Sequence, residues 1–379
     1  MNRLFLFGFS ALIHLYVGLR VCPGLDAWAP AGLLLAAWLA ISALLMPLSL
    51  LLRRSQAGSA GDALAWVGML CMGLFSSLFV LTLIRDAVLA LAWLAHWLHP
   101  AFAASGWAQN TALAVPAGAL LVTLFGFLNA RRIAAVVRVD VPIAGLPADL
   151  NGFSIAQISD VHVGPTIKGP YVQGIVNAVN RLGADMVAVT GDLVDGTVPQ
   201  LHSHVAPLAQ LSSRHGTFFV TGNHEYYSGV HAWVAELRRL GLHVLMNEHV
   251  MLEHGGAAVA VAGVTDFSAG HFDPAHKSDP KAAIAGTPDS AVKLLLAHQP
   301  RSAQAAAEAG FDLQLSGHTH GGQFLPWNFF VRFQQPFTAG LHRLHKLWVY
   351  TSRGTGYWGP PKRFGAPSEI TLLRLVPGT

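Results

Sequence analysis

Five short segments carry the residues able to do chemistry: Asp160-Val161-His162, Asp192-Leu193-Val194-Asp195, Asn223-His224-Glu225, a single His298, and His318-Thr319-His320. Asp160 and His162 are two apart, so in an extended chain both side chains leave from one face and can grip one ion. His318 and His320 repeat that spacing, and a span of ~7 Å between them suits neighbouring ions ~3.5–4 Å apart, one histidine to each. Two dications that close repel strongly unless an anion lies between them. Asp192 is the expected bridge, because it follows Gly191, which admits close backbone approach. Imidazole combined with carboxylate and amide oxygen favours first-row ions over calcium. Cys22 and Cys71 both lie in the apolar N-terminal part, which excludes a thiolate zinc site. Two divalent cations are therefore expected; manganese, iron and zinc all fit, with manganese preferred. Between paired ions a bridging water becomes an in-line nucleophile for phosphorus while both metals clamp phosphoryl oxygens, so the expected reaction is phosphate-ester hydrolysis. His224 stands at the edge of such a site, able to protonate the leaving oxygen or to stabilise phosphoryl charge. Asp195 and Glu225 are expected to fix histidine and loop orientation.

Taken singly these segments are weak signals: Asp-x-His is frequent by chance, and a lone histidine after an apolar strand is more often a satisfied core residue. Their combination is specific, because each follows a separate predicted strand and ligands of α/β sheets gather at the carboxyl ends of strands. Eleven further histidines, among them His202, His215, His254 and His342, lack this context and are expected at the surface or behind the site.

In order, Asp160-Val-His162, Gly191-Asp192-Leu-Val-Asp195, Gly222-Asn223-His224-Glu225, His298 and Gly317-His318-Thr-His320 resemble the signature of the calcineurin-like metallophosphoesterases. The tail from Gly317 through Gln323, Thr351-Ser-Arg353-Gly354 and Pro367-Ser-Glu-Ile370 is similar to a bacterial branch of membrane-associated phosphodiesterases. The resemblance covers Asp149 to the C-terminus. It implies a four-layer α-β-β-α sandwich of two mixed sheets. It also implies one metal on Asp160, His162, Asp192 and His320, a second on Asp192, Asn223, His298 and His318, and His224 near the scissile phosphate. Arg353 has two readings, a contact to substrate phosphate or a structural salt bridge.

The elements that must position these groups are legible as an α/β pattern from Asp140 onward. Strands are expected at Phe153–Ser159, Met186–Thr190, Thr217–Thr221, Ala258–Val264, Val292–Ala297, Asp312–Ser316, Leu347–Thr351 and Ile370–Leu375. Helices fit Tyr171–Leu182, His231–Leu240 and Ser302–Ala309. Residues 151–379 form the expected catalytic domain, large enough to bury a core, and 140–150, with two prolines, the linker.

Residues 1–139 differ in kind. The whole chain is 53% hydrophobic and only 12% charged, which a soluble domain rarely matches. Four apolar stretches, about Leu4–Leu19, Ala31–Leu52, Ala63–Ile84 and Thr111–Leu128, each approach the ~20 residues that cross a bilayer. A signal peptide is the alternative for the first, but no small-residue cleavage site follows it. Ala87–His99, with Trp93 and Trp97, reads as an interfacial helix with an aromatic belt. In a four-span topology Arg3, Arg53, Arg54, Arg131, Arg132 and Arg138 share one side, against Arg20 and Arg85 on the other. By the positive-inside bias both termini and the catalytic domain are cytoplasmic. Residues 151–379 hold 16 Lys+Arg against 15 Asp+Glu, so no nucleic-acid groove is expected; the bilayer and a phosphate ester are the expected partners.

Leu325-Pro-Trp327-Asn-Phe329-Phe330 and Phe333 follow the histidine pair. They are either a core-packing loop or an apolar lip that rests on the bilayer or accepts acyl chains. A membrane-tethered hydrolase meets lipids at high effective concentration, which makes a phospholipid or lipid-linked pyrophosphate the first substrate expectation. The alternatives are a soluble diester such as a cyclic nucleotide, a catalytically silent scaffold or sensor, and a transporter with a regulatory phosphoesterase. The scarcity of ionisable residues at mid-span opposes the last.

Overall fold

The computed structural model describes residues 3–28, 30–52, 58–102 and 106–378. It divides into two compact units, Met1–Leu128 with Gly359–Phe364, and Asn129–Trp358 with Gly365–Thr379.

The first unit is built on α1 (Arg3–Val21), α2 (Ala31–Leu52), α3 (Gly58–Leu98) and α4 (Trp107–Arg131), all four long and apolar enough to cross a membrane. Val17, Leu39, Phe75, Leu78, Val115 and Ala119 pack between them, while leucines such as Leu33, Leu83 and Leu120 face outward, as lipid-facing helices require. The expected break near Ile84 is absent: α3 runs on from Ala87 to Leu98, so the third span and the supposed interfacial helix are one element. Arg85 does not interrupt the helix because its polar groups are satisfied sideways. Its guanidinium donates to Arg20 O (2.9 Å), Ala108 O (2.9 Å) and Thr111 Oγ1 (3.1 Å). Asp86 receives Arg20 through two bonds (2.8 and 3.0 Å) and the Tyr16 hydroxyl (2.8 Å). No glycine or proline lies between Asp86 and Leu98 to stop the helix. Buried His14 donates from Nδ1 to Ser10 O (2.7 Å) and meets Ser42 Oγ at Nε2 (3.0 Å), an ionisable mid-span group that hydropathy alone passes over. Arg53 and Arg54 lie outside the described residues.

The second unit is a four-layer α-β-β-α sandwich of two six-stranded mixed sheets. Its strands are β1 (Ala135–Ala144), β2 (Ser154–Ile158), β3 (Met186–Val189), β4 (Thr217–Phe219), β5 (His243–Val244), β6 (Glu248–His254), β7 (Ala257–Gly263), β8 (Val292–Leu296), β9 (Leu313–Ser316), β10 (Gly340–Leu344), β11 (Leu347–Thr351) and β12 (Glu369–Gly378). One sheet runs β1-β12-β2-β3-β4-β5 and the other β10-β11-β9-β8-β7-β6. Side chains alternate faces along each strand. Ile155, Met186, Ala188, Leu294 and Leu296 enter the core between the sheets. Ala156, Ile158, Val187 and Val189 turn outward to α5 (Gly169–Asn180), α6 (Val198–Val205) and α8 (Val230–Arg239), which follows the short α7 (Asn223–Ser228). Ala260, Ala262 and Leu295 face α9 (Pro280–Ile284) and α10 (Ala303–Ala309). The short α11 (Asn328–Val331) lies beyond β9.

Part of the expected linker is strand. Residues 140–144 form the second half of β1, which pairs in parallel with β12 over its whole length, Ala135 opposite Glu369 through Ala144 opposite Gly378. Asp140 resembles loop composition because β1 is an edge strand, where charge and proline are tolerated. Asp140 is exposed there and meets Arg374 of β12 through two bonds (2.8 and 2.9 Å).

Candidate metal centre

The parallel strands β2, β3 and β4 of one sheet and β8 and β9 of the other end at one rim, and all five polar segments begin there. Strand ends leave little room, and the chain turns sharply as it leaves them. Asp160 (φ 53°), His162 (55°), Asp192 (51°), His318 (68°) and His320 (52°) are all in the left-handed region. That conformation is uncommon for residues with a Cβ and persists where the surroundings over-determine it.

Three groups of side chains converge, each with ligand atoms within 4.8 Å of one another: Asp160, His162 and His320; His162, Asp192 and His224; and Asp192, His298 and His318. Among the described residues no other histidine or carboxylate enters such a group. Asp192 and His162 each belong to two of them. His162 Nε2 is 3.0 Å from His320 Nε2, His320 Nε2 is 3.5 Å from Asp160 Oδ1, and His298 Nε2 is 3.1 Å from Asp192 Oδ2. His318 Nδ1 is 3.2 Å from His298 Nε2.

Hydrogen bonds behind the rings decide which nitrogens face inward. His298 Nδ1–H donates to Thr190 O (2.7 Å), which turns Nε2 toward Asp192. His162 Nδ1–H donates to Asp195 Oδ1 (3.2 Å), and His224 Nδ1–H makes a short bond to the same oxygen. Asp160 accepts the His318 backbone N–H on both oxygens (2.9 and 3.0 Å), and Asp192 Oδ1 accepts that of His224 (2.8 Å). Buried Glu225 receives the N–H groups of Asp192 (3.0 Å), Leu193 (2.8 Å), Val194 (3.3 Å) and Gly222 (2.6 Å), so it knits two ligand loops through their backbones.

Electrostatics match this packing. Burial lifts Asp160, and the Asp192 charge adds to the lift. For Asp192 burial acts upward too, but His298, His224 and His162 outweigh it and hold the carboxyl well below its ordinary range. Burial acts downward on His298, yet Asp192 and Asp160 raise it well above the usual imidazole value. Burial and the His298 charge push His318 down to about 3, so its ring is a neutral donor. Burial and the Asp192 charge lift Glu225 to about 7 against its N–H donors.

The residues fit divalent cations. Inward-facing imidazole lone pairs 3 Å apart repel unless a proton or a cation lies between them. Buried Asn223 Oδ1 has no hydrogen-bond partner, the arrangement expected of an amide oxygen reserved for an ion.

Gly222 secures this approach. A Cβ there would collide with Oδ1 and the backbone N of Asp192. We expect Gly222→Ala to displace the Asp192 carboxylate and to lower cation occupancy while circular dichroism stays unchanged. Full occupancy in the isolated variant would refute this.

Sequence reasoning missed the mouth. Tyr227 and Trp358 stand beside His224, with ring centroids at 5.2 and 6.0 Å, and Phe272 lies 5.6 Å from Tyr227. All three are about half exposed; only Tyr227, in α7 beside Asn223-His224-Glu225, carried a signal in the sequence. Arg353 donates to Glu369 Oε2 (2.8 Å), the salt-bridge reading of that residue. Leu325, Trp327, Phe329, Phe330 and Phe333 are exposed rather than packed into the core.

A family profile described as calcineurin-like phosphoesterase matches residues 153–322. The chain is 40% identical over 328 residues to the transmembrane protein with metallophosphoesterase domain of Bos taurus, covering 82% of this chain and 71% of that protein. The protein of the same name in Danio rerio is 38% identical over 280 residues, covering 72% and 64%. An uncharacterized metallophosphoesterase of Helicobacter pylori is 42% identical over 228 residues, covering 59% and 60%. The chain thus spans 60 to 71% of the length of these relatives.

Proposed function

Since the chain belongs to the calcineurin-like phosphoesterases, we propose that it is a membrane-anchored phosphoesterase that uses two divalent cations to hydrolyse a phosphodiester or pyrophosphate. The observation that carries this reading is the convergence of ligand atoms from five strand ends, together with the unsatisfied Oδ1 of Asn223, which adjoins His224 in the chain. Asp160, His162, Asp192 and His320 would hold one ion, and Asp192, Asn223, His298 and His318 the other. Bound divalent cations supply the Lewis acidity that polarises a phosphoryl oxygen and makes water acidic near neutral pH.

The chain's own groups supply the rest. Asp192 shares one carboxylate between both ligand sets. Thr190 O and Asp195 hold the His298 and His162 rings so that their Nε2 atoms face inward. His224, partly exposed where His298 and Asp192 are buried, with Nε2 3.9 Å from Asp192 Oδ2, can give a proton to the leaving oxygen while Asp195 steadies the imidazolium. The aromatic mouth of Tyr227, Phe272 and Trp358 supports a substrate with an apolar portion, and so a phospholipid or lipid-linked pyrophosphate over a cyclic nucleotide. A silent scaffold would not need a protonatable histidine beside the ligand set.

The test is metal content measured together with turnover of bis-p-nitrophenyl phosphate by the purified full chain. We expect two ions per chain, loss of activity on chelation, and recovery with manganese, iron or zinc, manganese giving most. Turnover that survives complete metal removal would overturn the reading.

The four apolar helices make this a membrane protein. We place both termini and the second unit on the cytoplasmic side, supported by Arg3, Arg131, Arg132 and Arg138 on one side of the four-span topology. On the other side Arg20 is paired with Asp86 and Arg85 is buried. A cysteine introduced at Lys346 should resist a membrane-impermeant thiol reagent in intact cells and react after permeabilisation; reaction in intact cells would reverse the orientation.

A further inference from the structure

The segment after the ligand histidines is apolar where water should be. Leu325 and Trp327 are 40% exposed, Phe329 58%, Phe330 55% and Phe333 75%. Trp327 and Phe330 have ring centroids 5.9 Å apart, and Phe330 and Phe333 6.4 Å, so the exposed rings form one patch rather than scattered singles. Patches of this kind on a soluble surface mark an interaction site.

The surroundings say what covers it. Arg332 lies over the Phe333 ring at 5.4 Å, and exposed Arg301 donates to Gln334 O (2.6 Å). No Asp or Glu occurs between Asp312 and Glu369, so nothing in this stretch repels an anionic surface. Aromatic rings with arginine and no acid are the composition of a membrane-interface element, where rings enter the boundary between headgroups and acyl chains and guanidinium groups meet lipid phosphate. A protein partner would require acceptors and donors across the patch, and its exposed face offers rings. The same chain carries four membrane-crossing helices, and three residues, Arg132–Ala134, separate α4 from β1.

The patch is also joined to the catalytic mouth. Gln323 Nε2 donates to Trp358 O (2.8 Å) and its Oε1 accepts the Trp358 N–H (2.8 Å). Trp358 in turn stands beside His224. His320, Gln323 and Trp358 thus form a bridge of a few residues between the ligand set and the exposed rings.

We propose that Leu325–Phe333 is a docking segment that inserts its aromatic rings into the headgroup boundary of an anionic bilayer and sets the mouth of the site against phosphate esters presented there. The insertion stands on exposure, charge and composition; its consequence for turnover rests on the phosphoesterase reading above. The two are tested separately. Spin labels are placed at Phe329→Cys and Phe333→Cys in a Cys22→Ser, Cys71→Ser full chain, held in nanodiscs of three parts phosphatidylcholine to one part phosphatidylglycerol. Collision with oxygen should exceed collision with a water-soluble nickel chelate at both positions, while Lys346→Cys shows the reverse. Water-like values at 329 and 333 would overturn the docking, whether or not the chain hydrolyses anything. Replacing Phe329, Phe330 and Phe333 together by serine should lower the ratio of turnover on vesicle-borne phosphatidylglycerol, a phosphodiester, to turnover on bis-p-nitrophenyl phosphate by about tenfold or more. An unchanged ratio in an active variant would overturn the effect on turnover alone.

Discussion

Replacing Asp192 by asparagine should cost about 10³-fold or more in turnover and reduce the tightly held cations from two to one. Asparagine keeps the shape, and its carbonyl can still accept the His224 N–H that Asp192 Oδ1 receives, so the fold should survive. The charge is what disappears. Asp192 belongs to ligand groups on both sides of the site, and its Oδ2 faces His298 at 3.1 Å, His224 at 3.9 Å and His162 at 4.0 Å. Two dications ~4 Å apart repel by more than 10 kcal/mol even at an effective dielectric of ~20. A neutral amide between them cannot offset that. Metal analysis of the variant, compared with circular dichroism and turnover, checks the prediction. Two retained ions with near-normal activity would remove Asp192 from the bridging position and the proposed mechanism with it.

His224→Ala should behave differently: cations retained, kcat lower by about 10²–10⁴-fold. The ring is anchored at Nδ1 by Asp195, and its Nε2 lies 3.9 Å from Asp192 Oδ2 beside the ligand cluster. If it protonates the leaving oxygen, the loss must grow with the basicity of that oxygen. An alkyl alcohol needs a proton to depart at neutral pH, whereas p-nitrophenolate departs without one. The variant should therefore lose far more activity on alkyl diesters than on p-nitrophenyl esters. An equal loss across leaving groups would assign His224 to phosphoryl charge instead. Asp195→Asn should weaken both functions, because one carboxylate oxygen orients His162 and His224 together.

How much of this was legible in the sequence depends on the kind of signal. The eight strands read from Phe153 onward are all present, because buried strands at the centre of a sandwich are written as uninterrupted aliphatic runs such as Met186–Val189. The polar segments were legible for the same reason, as abrupt changes from apolar to Asp, His or Asn at strand ends. The second half of β1 was read as linker because an edge strand has no such run; Asp140 and Pro142 look like loop until β12 is known to lie beside them. α3 was cut at Arg85 because a charge in an apolar stretch looks like a boundary. Only the neighbouring helices reveal its acceptors, Arg20 O and Ala108 O. The left-handed backbone at five ligand positions had no signal of its own, since the residues there are chosen for their side chains and not for their backbone preference. The aromatic mouth was hidden because Tyr227 of α7, Phe272 and Trp358 lie far apart in the sequence.

The pairing of β1 with β12 has a consequence for biosynthesis. Ala135 waits for Glu369, a separation of 369 − 135 = 234 residues, or roughly 10–50 s of translation at ~5–20 residues per second. During that interval the nascent chain has its helices ready for insertion while a ten-residue edge strand lacks its only neighbour in the sheet. β12 must be synthesised before the first sheet can close. A premature stop after Ile158 and before residue 369 would therefore strand β1 and β2 on either side of a missing partner, leaving a membrane-held stub with two open edges that quality control or aggregation would remove.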